Sequence, residues 1–89
     1  MKFERVDIEK IRQLFEDGLK RAQQLDRVEK MKVRAKIRKE INLVLSWKNP
    51  KPDTVFNRWR ERLSDVFSLF PHRFRDDLYN LLIDINKKG

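Results

Sequence analysis

Apolar residues recur every three or four positions through almost all of this chain, a spacing that matches one face of an α-helix and not the alternation of a strand. Alternating β-branched runs are missing, and two glycines and three prolines leave few places for the chain to turn. The expected fold is all-α: a four-helix bundle or a small orthogonal helical bundle, because four amphipathic stripes can be buried only against one another. The 89 residues are expected to form a single helical domain, 1–89, with one core and little room for a deep pocket.

The spacing predicts a first helix from about Ile8 to Leu25, with Asp7 as its N-cap and a stripe of Ile8, Ile11, Phe15, Leu19 and Ala22. A second runs from about Arg27 to Trp47, and Asp26 with Glu29 resembles a capping box at its start. One unbroken helix over 8–47 is the alternative. Extending the first stripe, however, rotates Val28, Met31 and Ala35 off its face, which favours a break. The second helix carries two stripes: Val33, Ile37, Ile41 and Val44 on one side, and Val28, Met31 and Ala35 on the other. A helix with two apolar sides is expected to touch two neighbours, as the central helix of the bundle or as an interface helix. Asn49-Pro50-Lys51-Pro52-Asp53 cannot continue a helix. With Asp53 as cap, a third helix is expected from about Thr54 to Phe70, burying Val55, Phe56, Trp59, Leu63, Val66, Phe67 and Phe70. Beyond Pro71, a fourth runs from about His72 to Asn86 with Phe74, Leu78, Leu81, Leu82 and Ile85 inward.

Charge is unevenly placed. Residues 20–39 hold nine basic and two acidic side chains, and so account for +7 of the chain's net +8. A heavily charged surface of ion-pair networks explains a charged fraction of 40%, but not a one-sided excess. Arg27, Lys30, Arg34 and Arg38 step by three or four along the second helix and form a ridge; Lys32, Lys36 and Lys39 form another. Like charges at these spacings repel, and no acid intervenes between Glu29 and Glu40. The expected function is phosphate-backbone binding of nucleic acid, DNA or RNA, through Lys20, Arg21, Arg27, Lys30, Arg34, Lys36, Arg38 and Lys39, with weak sequence preference. The competing expectation is a protein-interaction module or homo-oligomer docking through the second helix. The bland alternative is a solvated face whose acids come from the first helix or from another subunit.

Other chemistry finds little support. With no cysteine and His72 as the sole histidine, the usual zinc sites cannot be built, and no cofactor is expected. No glycine-rich phosphate loop occurs, and no serine stands in a nucleophile arrangement, so the chain is not expected to be an enzyme. The adjacent carboxylates Glu16-Asp17 and Asp76-Asp77 diverge on a helix, which suits ion pairing or helix-end chemistry better than catalysis. Trp59 and Phe70 fall within a core stripe; Trp47, near Lys48 and Lys51, is expected to pack as well. Acids in the first residues argue against a signal peptide, and no run approaches the length of a membrane span, so no integral membrane association and a cytoplasmic location are expected.

Overall fold

The computed structural model describes residues 1–88 and contains, among them, five helices and no strand. These are α1 (Arg5–Arg21), α2 (Arg27–Leu45), α3 (Pro52–Arg62), α4 (Ser64–Leu69) and α5 (Arg73–Lys88). They make a small all-α bundle with principal extents of 38 × 23 × 23 Å. No helix is long and apolar enough to cross a membrane among the described residues.

Helix ends show where local chemistry decides. α1 begins earlier than expected: Glu4, not Asp7, is the N-cap, and Asp7 lies buried at the third helical position, where it closes a capping box. The Glu4 amide donates to Asp7 Oδ2 at 3.0 Å, while Asp7 Oδ1 faces Lys88 Nζ at 3.5 Å, tying the start of α1 to the end of α5. α1 stops at Arg21, short of Leu25, and a turn through Gln23 and Gln24 leads into α2. There the Asp26–Glu29 capping box forms as expected: the Glu29 amide donates to Asp26 Oδ1 at 2.8 Å and the Asp26 amide to Glu29 Oε1 at 3.2 Å. Residues 8–47 therefore form two helices.

α3 starts at Pro52, whose missing N–H costs nothing in a first turn, and its N-cap is Lys51. Asp53 does not cap it; its Oδ1 accepts the Tyr79 hydroxyl at 2.7 Å, joining α3 to α5. The expected helix over 54–70 is broken at Leu63, which leaves the helical conformation at φ −114°, ψ 28°. Beyond the bend Val66, Phe67 and Phe70 are all buried, with Phe67 and Phe70 turned toward α1 and α5. Phe67 then meets Phe74 edge-on, with ring centroids 5.1 Å apart.

The core is a single cluster with contributions from all five helices. Its centre is aromatic. Phe15 stands edge-on to Trp59 at 5.7 Å and to Phe74 at 5.1 Å, geometries that match the positive ring edge to the negative ring face. The Trp59 indole N–H donates to the Glu40 carbonyl at 3.3 Å, so burial strands no donor. Gly18 lets α1 approach Phe70 closely, since a Cβ there would sit 2.7 Å from the ring.

α2 departs most from expectation. Ile37, Ile41 and Val44 are buried, and Glu40 accepts from Arg58 Nε at 3.0 Å, so one face of the carboxyl-terminal half is locked onto α1 and α3. The second stripe is uncovered: Val28 is 60% exposed, Met31 62%, and Ala35 is exposed as well. α2 is thus an outer helix of this bundle and not its centre.

Candidate functional site

The turn at 22–26 makes α1 and α2 an antiparallel hairpin, so residues equidistant from Leu25 face each other. Glu16 and Arg34 are such a pair. Arg34 grips the carboxylate with two parallel bonds, Nε to Oε2 at 3.0 Å and Nη2 to Oε1 at 2.6 Å. That hydrogen bonding holds the Glu16 carboxyl below its ordinary pKa; burial opposes the shift, and the charges of Arg34, Lys20 and Lys30 reinforce it. Glu16 in turn raises the pKa of the Arg34 guanidinium.

Folding divides the eight expected site residues into groups. Lys20 and Lys30 add to the positive charge felt at Glu16, but only Arg34 is at ion-pair distance from it. Arg27 lies beside Lys30 and Arg34 near Leu25 and Met31. Arg38 continues this edge along a groove of about 240 Å³, whose floor is Phe15, Ile37 and Ile41 and whose rim includes Arg12, Arg34 and Glu16. Lys36 lies on the opposite flank, where its Nζ donates to both carboxylate oxygens of Asp65 at 3.1 Å. Burial raises the Asp65 pKa most strongly of any single influence, yet Lys36 and the backbone amides of Val66 and Asp65 together lower it. Lys39 is exposed, near the outward stripe. Arg21 projects elsewhere on α1, into a cleft with Asp17, Arg73 and Asp77, and does not share the surface of the others.

The ridge is therefore not a row of four uncompensated cations, because Arg34 belongs to Glu16. Lys36 is likewise compensated, by Asp65. Among the described residues, no carboxylate stands at ion-pair distance from Lys20, Arg21, Arg27, Lys30, Arg38 or Lys39. The alternative that the first helix supplies acids to this face holds for Glu16 and Arg34; Asp65 as the partner of Lys36 and Arg12 as a neighbour of Arg38 were missed. For Glu16 the signal was available: the turn at 22–26 sets the register of the hairpin and places it opposite Arg34. No comparable signal pointed to Asp65, which reaches Lys36 only because the chain bends at Leu63.

The remaining candidates are placed as follows. His72 is exposed, and among the described residues no three His, Cys, Asp or Glu side chains are grouped to hold a metal ion. Trp59 and Phe70 are buried; Trp47 is half-buried and packs against the core beside Leu45 and Phe3. Asp77 pairs with Arg73 at 3.5 Å. No protein-family model matches the chain, and no curated protein or solved structure is found similar to it.

Proposed function

We propose that the α1–α2 hairpin binds the phosphate backbone of nucleic acid along its basic edge, with Lys20, Arg27, Lys30 and Arg38 as the contacts and Lys39 in support. One observation carries this reading: these side chains reach solvent with no carboxylate paired to them, although the fold supplies acids to Arg34 and Lys36 nearby. Phosphates relieve the mutual repulsion of such a row and release condensed counterions. Charge alone positions the ligand, which gives weak sequence preference. Arg21 lies off this edge and contributes little.

Four contacts to duplex DNA predict a log–log salt slope of about −4. Reversing Arg27, Lys30 and Arg38 to Glu together removes binding while helicity by circular dichroism is unchanged. Arg34 is spared in that variant because it joins α2 to α1. Retention of full affinity by the triple variant rules the edge out. Parallel titrations with duplex DNA, single-stranded DNA and RNA identify the preferred form.

A second reading, docking of a protein partner, is favoured by the exposure of Val28 and Met31 between the cations. A second copy laid on this face would bring lysines and arginines against each other, so charge favours an acidic partner. Salt-insensitive self-association without retention of any nucleic acid would instead support the homo-oligomer.

A further inference from the structure

We infer that Glu16 holds the place of a phosphate: Arg34, Lys20 and Lys30 build an oxyanion site, and an incoming phosphate takes Arg34 over from the resident carboxylate. This deepens the nucleic-acid reading and rests on it, since it names what the hairpin edge grips most specifically and what restrains it.

The geometry is that of an anion clamp. Arg34 presents a planar fork that fits carboxylate or phosphate oxygens equally well, and Glu16 fills both prongs at 3.0 and 2.6 Å. One lysine from each helix supports the fork: Lys20 is one turn beyond Glu16 on α1, and Lys30 one turn before Arg34 on α2. One cation binds the acid and two more add positive charge along the same edge, an excess that leaves the place attractive to a further anion.

Access separates this pair from the other arginine–carboxylate fork. Arg58 and Glu40 are 28% and 10% exposed and lie between α2 and α3, so exchanging Glu40 would open the core. Arg34 and Glu16 are 41% and 32% exposed, so a phosphate can reach the guanidinium without moving a helix. Once displaced, Glu16 remains nearby and repels the newcomer. It therefore acts as a brake on affinity, and its removal strengthens binding through Arg34.

The test is a double-mutant cycle on Glu16→Gln and Arg34→Gln, each variant first checked for unchanged helicity, with a short duplex DNA and inorganic tripolyphosphate as parallel probes. Glu16→Gln is expected to raise affinity about tenfold, and to steepen the DNA salt slope by up to about 0.9, because Arg34 is no longer neutralised before the phosphate arrives. In the Arg34→Gln background the gain disappears. A gain that survives without Arg34 is a general effect of removing one negative charge and overturns the inference, as does no gain with either probe. The pattern with tripolyphosphate but not DNA keeps the oxyanion site and removes the nucleic-acid reading. The Arg34 Nε–H resonance of the unaltered protein gives a check that needs no variant: it shifts and saturates on addition of tripolyphosphate, and an unmoved resonance overturns the site.

Discussion

The two halves of α2 each carry a regular apolar stripe, and the stripes have opposite fates. From Ile37 to Leu45 the helix sinks Ile37, Ile41 and Val44 into the core and fastens Glu40 to Arg58. From Arg27 to Lys36 it carries an equally regular apolar stripe, yet Val28, Met31 and Ala35 face solvent among cations. Periodicity defines an apolar side; the reach of neighbouring helices decides whether that side is covered. α1 meets α2 at Glu16 and Arg34, α4 at Lys36, and α3 at Glu40, and none of these contacts covers the outward stripe. The covered half joins the core, and the uncovered half leaves Val28, Met31 and Ala35 in solvent among cations.

The largest expected effect breaks this comparison if it fails. Ile41→Ala should destabilise by about 2–5 kcal/mol, because its side chain is buried and its neighbours cannot collapse fully into the gap. Met31→Ala should stay within about 0.5 kcal/mol, as for other exposed sites. Chemical denaturation of both variants measures the difference; equal losses would mean that the outer stripe is covered in solution.

A similar contrast exists across α1, whose Phe70 side is tight and whose α2 side is an open groove. Gly18→Ala gains about 1 kcal/mol in helix propensity. It also sets a Cβ 2.7 Å from the buried Phe70 ring, and overpacking of this kind costs about 1–3 kcal/mol. A net loss of thermal stability is expected. A gain would show that Phe70 moves aside freely and that this side is no tighter than the other.

Much of this organisation was legible in the sequence. The α1–α2 break was, because Asp26 and Glu29 satisfy each other's amides without help from the rest of the fold. The aromatic core was too, since Phe15, Trp59, Phe67 and Phe74 fall on regular stripes. The bend at Leu63 was not: neither glycine nor proline marks it, and the stripe through it is unbroken. Only the demand that Phe67 and Phe70 reach α1 and α5 produces it. The basic edge was visible as an excess of charge, and the hairpin register offers Glu16 to Arg34, but the pairing of Lys36 was not visible, because Asp65 approaches it from α4, beyond the bend at Leu63.

The outer stripe also separates the two functional readings. Replacing Val28 and Met31 together by Ser leaves every cation in place. Phosphate-backbone binding should change by less than about threefold, since such contacts use charge and hydrogen bonds. Docking of a protein partner should weaken more, because the apolar centre of an interface carries most of its energy. Loss of DNA binding in this variant would move the contact from the basic edge to the apolar stripe.

The smallest effect concerns acid. Glu16 and Asp65 both have folded-state pKa values below their ordinary ones, so each contributes stability above its unfolded pKa and loses it as pH falls through the lowered value. Both are partly exposed pairs, worth at most about 1 kcal/mol each, so global unfolding on mild acidification is not expected from them. Both fasten the amino-terminal half of α2, through Arg34 and Lys36. Acidification from pH 6 to pH 3 should therefore lower amide protection of residues 30–36 more than that of 37–45, once intrinsic exchange rates are corrected. High salt at pH 6 should act in the same direction by screening the same pairs. Equal loss along the helix would show that α2 opens as one unit, and that its exposed half is held by the core rather than by these two carboxylates.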